Sequence, residues 1–196
     1  MRCRVNVRAA FLVYGLPLGC NLTRLKQYLF KAKNSNLITM ELNIGLSPEQ
    51  LKGSVDLLTK VLANANVLYT KTRNYHWNVV SSDFKELHQL FQDQYEHMAE
   101  AIDEIAERIR ILGSKAIGTH QEFTQYATLQ EFPGEYPDAK TMVGNLLRDH
   151  ESLIREMRED VRKCENDFND KSTADFISQL QQAHEKNAWM LRSYLM

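Results

Sequence analysis

No proline occurs between Pro48 and Pro133, so more than eighty consecutive residues lack the strongest helix breaker. Long helices are the expected outcome. The stretch opens on Ser47-Pro48-Glu49-Gln50, which supplies an N-cap serine, a proline at the first helical position and a glutamine at N3, the pattern of a capping box. Apolar positions then follow at Leu51, Val55, Leu58, Leu62, Ala65, Tyr69, Thr72 and His76, alternating steps of four and three along one helix face. This first helix is predicted to reach about Val80.

Ser81-Ser82-Asp83 offers the next cap, and Phe84, Leu87, Phe91, Met98, Ile102, Ile105, Ile109 and Leu112 form the apolar face of a second helix that stops at Gly113. Residues 114–137, with Gly118, Pro133, Gly134 and Pro137, read as a crossover with a short helical turn near Thr124–Tyr126. Asp138 caps a third helix with Met142, Leu146, Leu147, Ile154, Met157 and Val161 as its apolar positions, broken at 166–171. Ser172, with Asp175 at N3, is expected to start a fourth helix carrying Phe176, Leu180, Ala183, Trp189, Leu191 and Leu195. Two hairpins joined by one long crossover predict an all-α four-helix bundle.

The 196 residues are 43% hydrophobic and 25% charged, which excludes wholesale disorder and fibrous repeats. The net charge of −1 conceals an asymmetry. Residues 1–40 hold seven of the 24 bases and none of the 25 acids, so the remainder carries about −8. The chain divides into a basic leader, 1–39, and a bundle, 40–196. The leader's apolar run, Ala9 to Leu18, is too short to span a bilayer and is broken by Gly15 and Pro17. A basic tail, a targeting peptide and upstream sequence translated ahead of a true start at Met40 compete; the last is favoured because Met40 opens the patterned part directly. Three cysteines, Cys3, Cys20 and Cys164, form neither a disulfide framework nor a metal finger and fit a reducing, cytoplasmic setting. No nucleotide-binding glycine loop, GxSxG elbow or CxxC pair is present.

Six histidines carry the chemical interest, although a single helical histidine is more often a surface or satisfied core residue. His76 lies on the first apolar stripe and His88 just inside the second helix, so the hairpin can bring the two imidazoles together as ligands for divalent iron, zinc or copper. Asp103 and Glu107 are an i, i+4 carboxylate pair on the second helix, with solvation or pairing to Arg108 or Arg110 as the plain alternative. Fifteen helical residues separate His88 from Asp103, about 22 Å, so one subunit cannot close a site from all four. Two can. Packing the second helix antiparallel against its own copy brings histidines to carboxylates in two equivalent sites, and that donor set suits ferrous iron better than calcium. The intrasubunit Glu-x-x-His signature is absent.

The run His76-Trp77-Asn78-Val79, then Phe84 and Leu87-His88, then Asp103-Glu104-Ile105-Ala106-Glu107-Arg108 resembles the signature of the Dps proteins, the miniferritins of stressed bacteria. Glu185-Lys186-Asn187-Ala188-Trp189-Met190 is similar to that family's fourth helix, and the match spans about residues 41–196. The resemblance implies a ferritin-like bundle, a hollow homo-dodecamer, and oxidation of Fe2+ by hydrogen peroxide or oxygen with storage of the Fe3+ product. It implies metal ligation by His76 and His88 of one subunit with Asp103 and Glu107 of the next, and radical interception by Trp77. Many relatives place a carboxylate four residues after the second histidine. This chain has Gln92 there and Asp93 one step off, which implies a weaker, water-mediated second iron position. Asp170 and Asp175 are candidate pore residues that would draw cations inward, with helix capping as the rival role. The alternative function is DNA compaction through the basic leader, opposed by the acidic bundle and the leader's apolar run. A low-salt gel shift with and without residues 1–39 separates the two.

Overall fold

The computed structural model describes residues 42–196, so the leader, the Met40 boundary, Cys3 and Cys20 lie outside the described residues. Five helices follow in order: α1 (Pro48–Asn78), α2 (Phe84–Ile111), α3 (His120–Tyr126), α4 (Ala139–Asn166) and α5 (Lys171–Leu195). There is no strand among the described residues. Helices α1 and α2 form one antiparallel hairpin, α4 and α5 the other, and residues 112–138 cross between them with α3 docked on α1. None of the described helices is long and apolar enough to cross a membrane.

The caps explain most of the boundaries. The Ser47 hydroxyl accepts from the Gln50 amide while the Gln50 side chain accepts from the Ser47 amide, closing the predicted box. Asp138 accepts from the Thr141 amide at the start of α4. Helix α3 is longer than expected, because Thr119 and Glu122 form a second capping box that opens it at His120. Its far side is clamped by Asn64, 1% exposed, whose carbonyl oxygen accepts from the Thr128 and Leu129 amides.

Two expectations are corrected. Helix α5 starts two residues earlier than predicted, at Lys171, and its cap is Asp170, whose carboxylate accepts from the Thr173 amide and hydroxyl at 3.0 and 2.6 Å. Asp175 therefore falls past the first turn. The reason is the preceding turn, where Asn169 takes a left-handed φ of 51° and the Asp170 amide bonds Cys164. Second, Phe84 and Trp189 do not join the core; they are 48% and 62% exposed. The core consists of Leu58, Leu62, Leu68, Leu87, Phe91, Ile105, Met142, Leu146, Ile177 and Leu191, each at most 1% exposed. Burying each such side chain stabilises the fold by about 1.5–3 kcal/mol before entropy is counted.

Candidate metal centre

The two predicted histidines meet where the first hairpin closes. The carbonyls in the last turn of α1 have no intrahelical partner, and one of them, on His76, accepts from His88 Nδ1 at 2.9 Å. His76 Nδ1 in turn donates to the His88 carbonyl at 2.8 Å. The rings stack with centroids 3.7 Å apart and an interplanar angle of 22°. Since a carbonyl only accepts, each Nδ1 carries the hydrogen, and in the neutral ring each Nε2 keeps its lone pair for a metal. Each histidine thus positions the other.

Aromatic rings support this pair. Phe84 lies against His88 at 5.0 Å, and Tyr95 meets His76 edge-on at 5.2 Å. The Arg73 guanidinium sits over Trp77, Tyr69 and Tyr95 at 4.9–5.8 Å from their centroids. Trp77 itself is 62% exposed, which removes core packing as its explanation. Tyr95 and Arg73 were not anticipated, yet each has a spacing signal: Tyr95 is seven residues after His88, and Arg73 is three before His76.

The carboxylates lie elsewhere. Asp103 and Glu107 are exposed on α2, and the arginines that were their alternative partners point away. Arg108 donates to Thr173 Oγ1 at 3.0 Å and reaches Asp170 at 3.4 Å, while Arg110 donates to the Ser114 carbonyl at 2.7 Å. No group of three or more His, Cys, Asp or Glu side chains converges on a metal-sized point among the described residues. At 3.6 residues per turn, however, His88, Gln92, Asp103 and Glu107 fall within about 100° of the α2 circumference. Histidines and carboxylates therefore occupy opposite ends of one face. Gln92 on this face donates its amide to Glu96 at 2.7 Å, and Asp93, one step off it, accepts from Gln89 at 2.7 Å.

Residues 55–196 match the family model for the ferritin-like domain. A DNA protection during starvation protein of Bacillus anthracis is 36% identical over 145 residues, covering 74% of this chain and 97% of that one. This chain belongs to the Dps family. An uncharacterized low temperature-induced protein of Nostoc is 48% identical over 154 residues, 79% of this chain and 86% of its own. The crystal structure of a Dps protein from Vibrio cholerae, described as a member of a broad superfamily of ferritin-like diiron-carboxylate proteins, superposes with a TM-score of 0.73 at 29% identity. It covers 79% of this chain and 96% of that one.

The other two candidate acids of this Dps chain differ in setting. Asp170 is 3% exposed, with its carboxylate held by Thr173 and Arg108, whereas Asp175 is exposed.

Proposed function

We propose that this protein is an iron-storage and detoxification protein whose ferroxidase centres are shared between subunits. The observation that carries the reading is the reciprocal His76–His88 lock. It presents two Nε2 lone pairs side by side and leaves Asp103 and Glu107 free on the same face of α2, too far away to reach them within one chain. Antiparallel pairing of α2 across a two-fold axis completes the donor set twice. Ferrous iron is the substrate: two Fe2+ ions give one electron each to hydrogen peroxide, which leaves as water after taking up two protons. Paired oxidation avoids the one-electron route to hydroxyl radical, and Trp77 stands beside the centre to intercept what escapes. Gln92, through its carbonyl oxygen, and Asp93 offer a second, weaker iron position through water.

The product is stored as ferric mineral inside a homo-dodecameric shell, in the cytoplasm. The bundle's charge of about −8 per subunit concentrates cations around such a shell. Pore duty falls to Asp175, since Asp170 is turned inward. Stopped-flow oxidation of Fe2+ by peroxide tests the centre. The His76→Ala, His88→Ala double variant is expected to lose at least about 100-fold in rate while eluting as the parent assembly. Oxidation at the parental rate, or full iron stoichiometry in a monomer, overturns the reading.

A further inference from the structure

Midway along the bundle the core turns polar. Lys71 of α1 bonds Asp149 of α4 at 2.6 Å, Tyr69 of α1 meets Tyr95 of α2 edge-on, and His150 of α4 touches His184 of α5. These cross-links place Gln94, His150 and His184 at one level. They are 2%, 0% and 9% exposed. The two Nδ1 atoms lie 2.8 Å apart, so one carries a hydrogen and the other accepts it. His150 Nε2 and both amide atoms of Gln94 are buried without a partner. Gln94 also lines a groove of about 440 Å³ between α2 and α5, together with Leu180, Ala183 and Asn187, the residues that flank His184.

The charges at this level are already spoken for. Lys71 is paired with Asp149, Glu151 with Arg192, and Glu185 with Arg158. Asp93, His97, Glu100 and Glu104 of α2 and Lys186 of α5 line the outer groove and are exposed, where water screens them. The imidazoles touch each other, and among the described residues no carboxylate forms an ion pair with either.

We propose that this layer is an acid-sensitive latch between α4 and α5. The first proton adds at the free Nε2 of the donating ring, which leaves the Nδ1–H···Nδ1 bond in place but strands an imidazolium in a buried layer without a counter-charge; the second sets two N–H groups against each other, so the helices part there. Burial holds both imidazoles below their usual range, His184 at about 4, and the neighbouring ring pushes His150 further in the same direction. The unfolded chain, with histidines at about 6.5, takes the protons first. The latch is therefore intact above about pH 6.5 and weakens toward pH 4, by up to about tenfold in the folding constant per pH unit through His184 alone.

Hydrogen exchange on the full-length protein, read by mass spectrometry at imidazole C2 and at backbone amides, tests this. His150 and His184 are expected to show no protonation in the folded protein between pH 7.5 and 5.5. Below that they should titrate together with loss of amide protection in α4 and α5. Midpoints near 6.5 in the folded state, or α4 and α5 amides still protected through pH 4, overturn it. The His150→Leu, His184→Leu variant should shift its acid transition at least one pH unit lower, and an unmoved transition also overturns the latch. Should that variant not fold, the exchange measurement on the parent decides.

Discussion

At the scale of single residues, Gly53 shows how a position can be plain in the sequence and opaque in its reason. In the middle of a helix a glycine is a weakness of about 1 kcal/mol relative to alanine. Here a Cβ would lie 2.3 Å from the Phe168 ring, so the missing side chain is the seat of an aromatic residue from the α4–α5 turn. Gly53→Ala is expected to lower stability by about 1–3 kcal/mol in a thermal melt, despite the better helix propensity. Adding Phe168→Ala should make the glycine substitution far less costly. His76 and His88 were the opposite case. Their positions on helix faces and the hairpin between them were legible from spacing, because both follow from the 3.6-residue period. Their mutual Nδ1–carbonyl bonds were not, since these depend on how far the chain at 79–83 turns before α2 begins. The same holds for Tyr95 and Arg73, whose spacing was visible but whose stacking depends on the register of α1 against α2.

At the scale of elements, the long helices were readable because their caps are local. Ser47 with Gln50 and Asp138 with Thr141 each act within four residues of chain. The start of α5 was misread for the same kind of reason. Ser172 is as good an N-cap by composition as Asp170, and the choice is made by the left-handed turn at Asn169 and by Arg108 reaching across from α2. Two substitutions separate the roles of the acids here. Asp170→Ala should cost about 1–2 kcal/mol in chemical denaturation from loss of the cap alone, and more because the Arg108 guanidinium loses its partner. Asp175→Asn should leave the denaturation midpoint in place and slow iron uptake into the assembled protein. An unchanged uptake rate would remove Asp175 from the pore. The exposed Phe84 and Trp189 went astray in the opposite sense, since periodicity marks apolar residues on one face without saying what covers it.

At the scale of the whole molecule, fold class and bundle topology were fully contained in the pattern of caps, stripes and one long crossover, while the proposed metal centre was only half contained. The chain carries all four proposed ligands and yet no site, because the histidine pair at the hairpin and the carboxylates on α2 sit about 22 Å apart along that helix. That separation has a genetic consequence. A chain lacking His76 and His88 and a chain lacking Asp103 and Glu107 should each be inactive alone. Co-assembled at random in equal amounts, half of their dimers are mixed. Each mixed dimer joins the surviving histidines of one chain to the surviving carboxylates of the other, restoring about a quarter of all centres. Two dead alleles would complement each other, and a protein whose centre lay within one subunit would show no such recovery.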